Sequence, residues 1–309
     1  MFFIVSTGRS GTETIAELLS RSPDCVCLHE PEPRLIAEAT QYLYGEMPHA
    51  AMIDLLRQSR PPTLDGKEYG ESAYKLTFVM PALREAFPDA KLVWLIRDGR
   101  AVVESFYTPR RYYHPLRHNV DWEIYRPSAD KVGEMSSREW AGLSRFEKCC
   151  WFWSYQNRLI EQHFIERVEK NGSEFLFIRL EELDAQQAAL FEFLGVRLPP
   201  EWAGEVPHLN VWPAKAPRTW RDWSAAERLS FMDICGREMD AYYPAWRDSA
   251  PELWTDIASA DTRQQVSRWL RAYVQPPATL YTTADYLRRK SRAVPRRVAR
   301  LARALKAMG

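Results

Sequence analysis

The chain opens on an apolar run, Phe2 to Val5, followed at once by Ser-Thr-Gly-Arg-Ser-Gly-Thr and then by Ile15, Leu18 and Leu19 at helical spacing. A run this apolar suits a central parallel strand buried on both faces, Gly8 and Gly11 permit positive φ and close backbone approach, and the later stripe gives a one-sided helix. The predicted strand, tight turn and helix start form a cradle for a phosphate or sulfate. Uncapped N–H groups at the helix start point at the anion, Arg9 adds full charge, and Ser10, Thr12 and Thr14 add hydroxyl donors. The spacing and lysine of the nucleotide-kinase loop are absent, which argues against a standard ATP site. On this segment alone, a merely structural βα connection is the alternative.

A second segment, Lys91 to Ser105, strengthens the anion reading. Its strand, Leu92 to Ile96, ends on Arg97, and a helix begins near Gly99. In an open α/β sheet ligands sit outside the carboxyl ends of the strands, so Arg97 and the first turn are expected to share one crevice. Ser105, two helical turns beyond Arg97, is placed to bond an anion held by that arginine. Two anion sites on one nucleotide are implied.

With these two segments the chain resembles the sulfotransferases that use 3′-phosphoadenosine 5′-phosphosulfate (PAPS). Arg9-Ser-Gly-Thr12 is similar to the family's 5′-phosphosulfate loop, and Arg97 with Ser105 to its 3′-phosphate pair. Weaker likeness runs to about residue 245 through Phe87-Pro-Asp-Ala, Arg179-Leu-Glu-Glu-Leu, Phe193-Leu-Gly and Trp223-Ser-Ala-Ala-Glu. The resemblance is closer to carbohydrate, lipid and tyrosyl sulfotransferases than to cytosolic aryl ones. It implies a P-loop NTPase-like α/β fold, a central parallel β-sheet flanked by helices. It carries donor contacts onto Arg9, Ser10, Gly11, Thr12, Glu13, Thr14, Arg97, Ser105 and Arg218. Glu13 stands where many relatives have a hydroxyl, Leu180 where they often have tyrosine, and Arg218 alone represents the basic clamp of cytosolic relatives.

The implied chemistry is in-line transfer of a sulfuryl group to an acceptor hydroxyl, with adenosine 3′,5′-bisphosphate leaving on the opposite side. By analogy with loose phosphoryl transfer, alignment and charge stabilisation dominate, with Arg9 facing the leaving oxygen. No metal is expected. A general base for the hydroxyl proton contributes ~10²- to 10⁴-fold. Glu30 in Leu28-His-Glu-Pro follows the predicted strand Cys25 to Leu28 and emerges at the same sheet edge; the resemblance favours it over His29. In the competing reading His29 and Glu30 cap a helix beginning near Glu32. His29 and Lys75, the latter in Tyr74-Lys-Leu-Thr, are candidates to touch the acceptor or the transferring group. A small-molecule kinase and a non-catalytic anion- or membrane-binding protein remain as alternatives.

Elsewhere the pattern is that of alternating strands and helices. Ser144-Arg-Phe-Glu147 and Ser224-Ala-Ala-Glu227 read as capping boxes, and Phe146, Cys150, Trp153, Ile160 and Phe164 recur on one helical face as core. Phe175 to Ile178 is a further strand, with a helix from about Glu181 to Leu194. Periodicity fails between Tyr107 and Leu143, where Arg110, Arg111, Tyr112, Tyr113, His114, Arg117, His118, Trp122, Tyr125 and Arg126 cluster; residues 107–143 are read as an acceptor-facing lid. His114 and His118 lack a third ligand for zinc.

The 309 residues, 46% of them hydrophobic, suffice for one large core and show no Gly/Ser-rich linker. A catalytic domain is expected over 1–285. The anion strand begins at residue 2 and no apolar run reaches ~18 residues, so a cytoplasmic protein is expected. Five cysteines without Cys-x-x-Cys fit reduced thiols. Nine of the 42 basic residues, Arg288 to Lys306, lie beyond the last acid, Asp285, leaving 33 against 41 before them. Val294, Val298, Leu301, Leu305 and Met308 share one helical stripe, so 286–309 reads as a basic amphipathic tail that lies on anionic membrane at its inner surface or packs on the acidic body. Nucleic acid is not an expected partner, because no stacking aromatics are interleaved with these charges.

Overall fold

The structure, a computed structural model, describes residues 1–108, 112–114, 121–168, 175–202 and 218–255. The tail 286–309 and the boundary at 285 lie outside the described residues, as do Arg110, Arg111, Arg117 and His118 of the lid segment.

Strand β1 (Phe2–Ser6) leads into helix α1 (Thr12–Ser20) and strand β2 (Cys25–His29), then helices α2 (Glu38–Leu43) and α3 (His49–Ser59). Strands β3 (Thr63–Leu64) and β4 (Lys67–Ser72) precede a 3₁₀ segment, Tyr74–Val79, and helix α4 (Met80–Ala86). Strand β5 (Lys91–Ile96) feeds helix α5 (Gly99–Tyr107), and three helices follow, α6 (Asp121–Ile124), α7 (Ser137–Gly142) and α8 (Arg145–Val168). Strand β6 (Phe175–Arg179), helix α9 (Leu183–Leu194), helix α10 (Ala225–Tyr242) and helix α11 (Glu252–Thr255) complete the described elements.

The sheet order is β2-β4-β1-β5-β6, all parallel, with β3 pairing antiparallel to β4. This is the expected α/β architecture, a parallel sheet with helices on both faces. Alternation along β1 sends Phe3 and Val5 to one core and Phe2 and Ile4 to the other, all fully buried. Ile15, Leu18 and Leu19 of α1 and Leu190, Phe191 and Leu194 of α9 cover the second face. Met52 and Leu56 of α3, Leu83 of α4, Val103 of α5 and Trp153 of α8 cover the first, with α10 packed outside α8.

The capping boxes form as read. Glu147 N–H donates to Ser144 Oγ and Ser144 N–H to Glu147 Oε2, and Ser224 pairs reciprocally with Glu227. Phe146, Cys150, Trp153, Ile160 and Phe164 are all buried core. One expectation is corrected. The helix after Glu30 starts at Glu38, not Glu32, since Pro33 disfavours a helical Glu32 and Leu35 is left-handed (φ 54°), so His29 and Glu30 do not cap it. Lys75 lies in the 3₁₀ segment that follows β4.

Candidate active site

Because the five paired strands run parallel, their carboxyl ends share one edge. At that edge β1 delivers Arg9, β5 Arg97, β4 Lys75, β2 Glu30 and β6 Leu180 and Glu181. β4 alone separates β1 from β2, so the exits of those two strands lie ~10 Å apart at normal strand spacing.

The turn after β1 is left-handed at Arg9 (φ 65°) and at Gly11 (φ 83°). Backbone turns of this kind make concavities of N–H groups suited to anions. Gly11 caps α1 without a side-chain bond to the first N–H groups, which leaves those donors to a ligand. Ser10 is fully buried and its hydroxyl bonds Thr7 Oγ1, stapling the turn. Thr12 and Thr14 are buried in the first turn of α1 and Glu13 is half-buried there.

An Arg9 held at positive φ costs about 1–2 kcal/mol. Two contacts hold it there. Arg9 Nε donates to Ser105 Oγ at 2.9 Å, and Arg97 Nη1 donates to the Arg9 carbonyl at 3.0 Å. Ser105 and Arg97 were expected to pair around one phosphate; here each engages Arg9, so the two half-sites are one continuous wall. Burial is the main cause holding Arg97 below an arginine's ordinary pKa, and Arg9 pushes the same way. An anion bound beside both residues would offset that repulsion.

Arg218 sits beside α5. Its Nη2 reaches Glu227 Oε2 at 2.7 Å, its Nε is 3.8 Å from Glu104 Oε2, and it lies over the Tyr107 ring. Glu104 also accepts from Trp223 Nε1. Arg218 therefore stands one residue from Ser105 but is already matched by carboxylates. On the far side Leu180 packs on the turn: a Cβ at Gly11 would meet its Cδ1 at 2.5 Å. Glu181 accepts from Asp98 N–H at 3.0 Å and from Tyr243 Oη at 2.9 Å, closing that flank.

Glu30 is the second non-glycine site residue with left-handed backbone (φ 46°), held by its N–H to the Ser72 carbonyl, while His29 Nδ1 contacts the same oxygen at 3.0 Å. Burial raises the Glu30 pKa, opposed by His29 and Lys75. Lys75 is 1% exposed. Its ammonium meets Ile36 O, Thr40 Oγ1 and Tyr125 O at 3.4 to 3.5 Å, and burial, with Arg126 nearby, brings its pKa down to about 7.

Sequence reading missed what holds Glu30's loop. Arg60 and Glu71, each 1% exposed, form a two-pronged pair at 2.8 and 3.1 Å, and Arg60 Nη2 donates to the Pro33 carbonyl at 2.9 Å. Only the partnering across β4 distinguishes these charges from surface ones. Tyr112, in the segment expected to be a lid, is brought onto the turn after β1, its hydroxyl 3.1 Å from where a Gly8 Cβ would stand, with Arg126 over its ring at 3.5 Å. No group of His, Cys, Asp or Glu among the described residues is arranged to hold a metal ion. No helix among them is long and apolar enough to cross a membrane.

Fold and crevice together define an α/β protein that gathers Arg9, Arg97, Lys75 and Glu30 at the carboxyl edge of its parallel sheet. No family model matches the chain, and no curated protein does. Among solved structures it is similar to the sulfotransferase from Alicyclobacillus acidocaldarius, with 17% identity over 80% of this chain and 98% of that one and a TM-score of 0.45. It is also similar to the sulfotransferase domain of the Synechococcus PCC 7002 olefin synthase (16% identity, 78% of this chain, 94% of that one, TM-score 0.44). A third is the sulfotransferase domain from the curacin biosynthetic pathway (18% identity, 65% and 75%, TM-score 0.36). At these identities the likeness concerns fold alone.

Proposed function

We propose that the chain transfers a sulfuryl group from PAPS to an acceptor hydroxyl, on a carbohydrate or lipid. The observation that carries this reading is the double contact on Arg9, from Arg97 to its carbonyl and from its guanidinium to Ser105, which joins two anion half-sites into one crevice. A donor with one charged group at each end of an adenosine suits such a crevice. The uncapped start of α1 with Arg9 and the hydroxyls of Thr12 and Thr14 would take the phosphosulfate, and Arg97 with Ser105 the ribose phosphate.

In the transfer step the acceptor oxygen forms a bond to sulfur as the bond from sulfur to the bridging phosphate oxygen breaks. The acceptor proton goes to Glu30, and the negative charge left on the bridging oxygen is met by Arg9 and the turn N–H groups. A raised Glu30 pKa suits a proton acceptor near neutral pH, since burial makes the carboxylate more basic. Lys75, between the β1 and β2 exits, is placed for the transferring group or the acceptor.

The test is incubation with ³⁵S-labelled PAPS and an extract of the source cells, followed by identification of the labelled species. Transfer is expected with the wild type and a drop of ~10²- to 10⁴-fold with Glu30→Gln, whose binding of adenosine 3′,5′-bisphosphate stays intact. Stabilisation of the chain by ATP with Mg²⁺ and not by PAPS would overturn the reading.

A further inference from the structure

Arg126, 8% exposed, follows helix α6 in the irregular stretch between α5 and α7. Two of its three guanidinium nitrogens, Nε and Nη2, donate to Glu123 Oε1, and the other oxygen of Glu123 accepts from Tyr113 N–H. The third nitrogen, Nη1, is buried and has no hydrogen-bond partner. A buried guanidinium N–H left unmade is costly, more so than for a neutral group. The guanidinium lies over the Tyr112 ring, whose hydroxyl stands against Gly8 of the anion turn, and the Tyr74 ring borders the same glycine.

A second unmet demand sits beside the first. Lys75 is fully buried, and its ammonium has long hydrogen bonds to two carbonyls and one hydroxyl, at 3.4 to 3.5 Å, and lies over the Tyr74 and Phe78 rings. Tyr125, the residue before Arg126, supplies one of those carbonyls, so the two cations are neighbours. The carboxylates facing them are Glu123, already engaged by Arg126 and Tyr113, together with Glu30 and Glu38, whose charges act on Lys75. When Glu30 takes the acceptor's proton its charge disappears, which leaves Glu38 for Lys75 and the engaged Glu123 for Arg126. Low-dielectric surroundings make that loss of negative charge expensive unless the bound molecule brings an anion of its own.

We infer, on the sulfuryl-transfer reading of the crevice, that the acceptor carries an anionic group, a carboxylate, sulfate or phosphate, beside the hydroxyl that is modified, and that Arg126 Nη1 and Lys75 Nζ bind it. A neutral hydroxyl compound would leave the Arg126 donor unmade and do nothing to keep Lys75, whose pKa is brought down to about 7, in its charged form.

Matched probes decide this. The full chain is saturated with adenosine 3′,5′-bisphosphate, and galacturonate, 4-hydroxyphenylacetate and glucose 6-sulfate are each titrated beside a neutral counterpart, the two methyl esters and glucose. Binding is read by melting temperature and calorimetry. At least one anionic probe is expected to bind tenfold or more tighter than its neutral partner, and the preference to vanish in Arg126→Met and in Lys75→Met. Retained nucleotide binding shows that each variant is folded, and either one suffices. Equal binding within every pair, or a preference that survives both substitutions, overturns the inference while leaving sulfuryl transfer standing. Failure of the wild type to bind the bisphosphate overturns the sulfuryl-transfer reading itself.

Discussion

Gly11 is where the anion turn has least room, and Gly11→Ala measures how tightly the cradle is specified. Two penalties add. The φ of 83° is left-handed, which costs a residue with a Cβ about 1–2 kcal/mol. The new methyl would also stand 2.5 Å from Leu180 Cδ1 and 2.9 Å from Cδ2, so the leucine must leave its rotamer at about 0.5–1.5 kcal/mol. Together a loss of about 1.5–3.5 kcal/mol is expected from urea unfolding. The two parts separate in a double-mutant cycle. Leu180→Ala removes the clash but not the backbone penalty, so the pair should couple by about 0.5–1.5 kcal/mol, while about 1–2 kcal/mol of the Gly11→Ala loss persists. Binding of adenosine 3′,5′-bisphosphate should weaken in Gly11→Ala, because the turn that aims its N–H groups is displaced. A loss below about 0.5 kcal/mol, or no coupling with Leu180→Ala, would refute the claim that the turn is held in this shape by its contact with the β6 exit.

Three further outcomes are expected. Arg97→Met should weaken binding of adenosine 3′,5′-bisphosphate far more than that of adenosine 5′-phosphosulfate, by calorimetry, since only the first carries the ribose phosphate. Lys75 titrates near 7 in the folded chain against 10.5 when exposed, so the unfolded state binds more protons between those values and stability should rise with pH across that window, by up to about 1.4 kcal/mol per pH unit; urea titrations from pH 6 to 10 should show Lys75→Met flattening the slope. Arg60→Met should cost about 3–5 kcal/mol by stranding the Glu71 carboxylate, while Arg60→Met with Glu71→Gln should recover most of it in the same denaturation assay.

The parts of the fold visible in the sequence are those whose signals are local. The β1 and β5 strands are apolar runs because both faces of a central parallel strand are buried; α1 announces itself by apolar spacing, and α8 and α10 by Ser-x-x-Glu caps. Strand β4, Lys-Glu-Tyr-Gly-Glu-Ser, carries no such run, although it sits between β1 and β2. Its Glu71 is matched by Arg60, and Gly70 yields its side-chain space to the Phe2 ring, contacts made across strands rather than along them. The helix after Glu30 was placed six residues early for a related reason: the residues of that loop are fixed by Arg60 reaching Pro33 from a distant helix end.

Sequence alone determined the chemical inventory at the sheet edge, an arginine and two glycines after one strand, an arginine and a serine around another, a glutamate after a third, because strand ends and helix starts dictate which residues leave the core together. Only the tertiary structure decided the connections. Arg9 links Ser105 and Arg97, Lys75 is sealed beneath Tyr125, and Arg126 of the irregular segment is buried with an unmet donor. Long-range partners determine how an ionisable group is solvated and where its hydrogen bonds go, and no spacing along the chain encodes them.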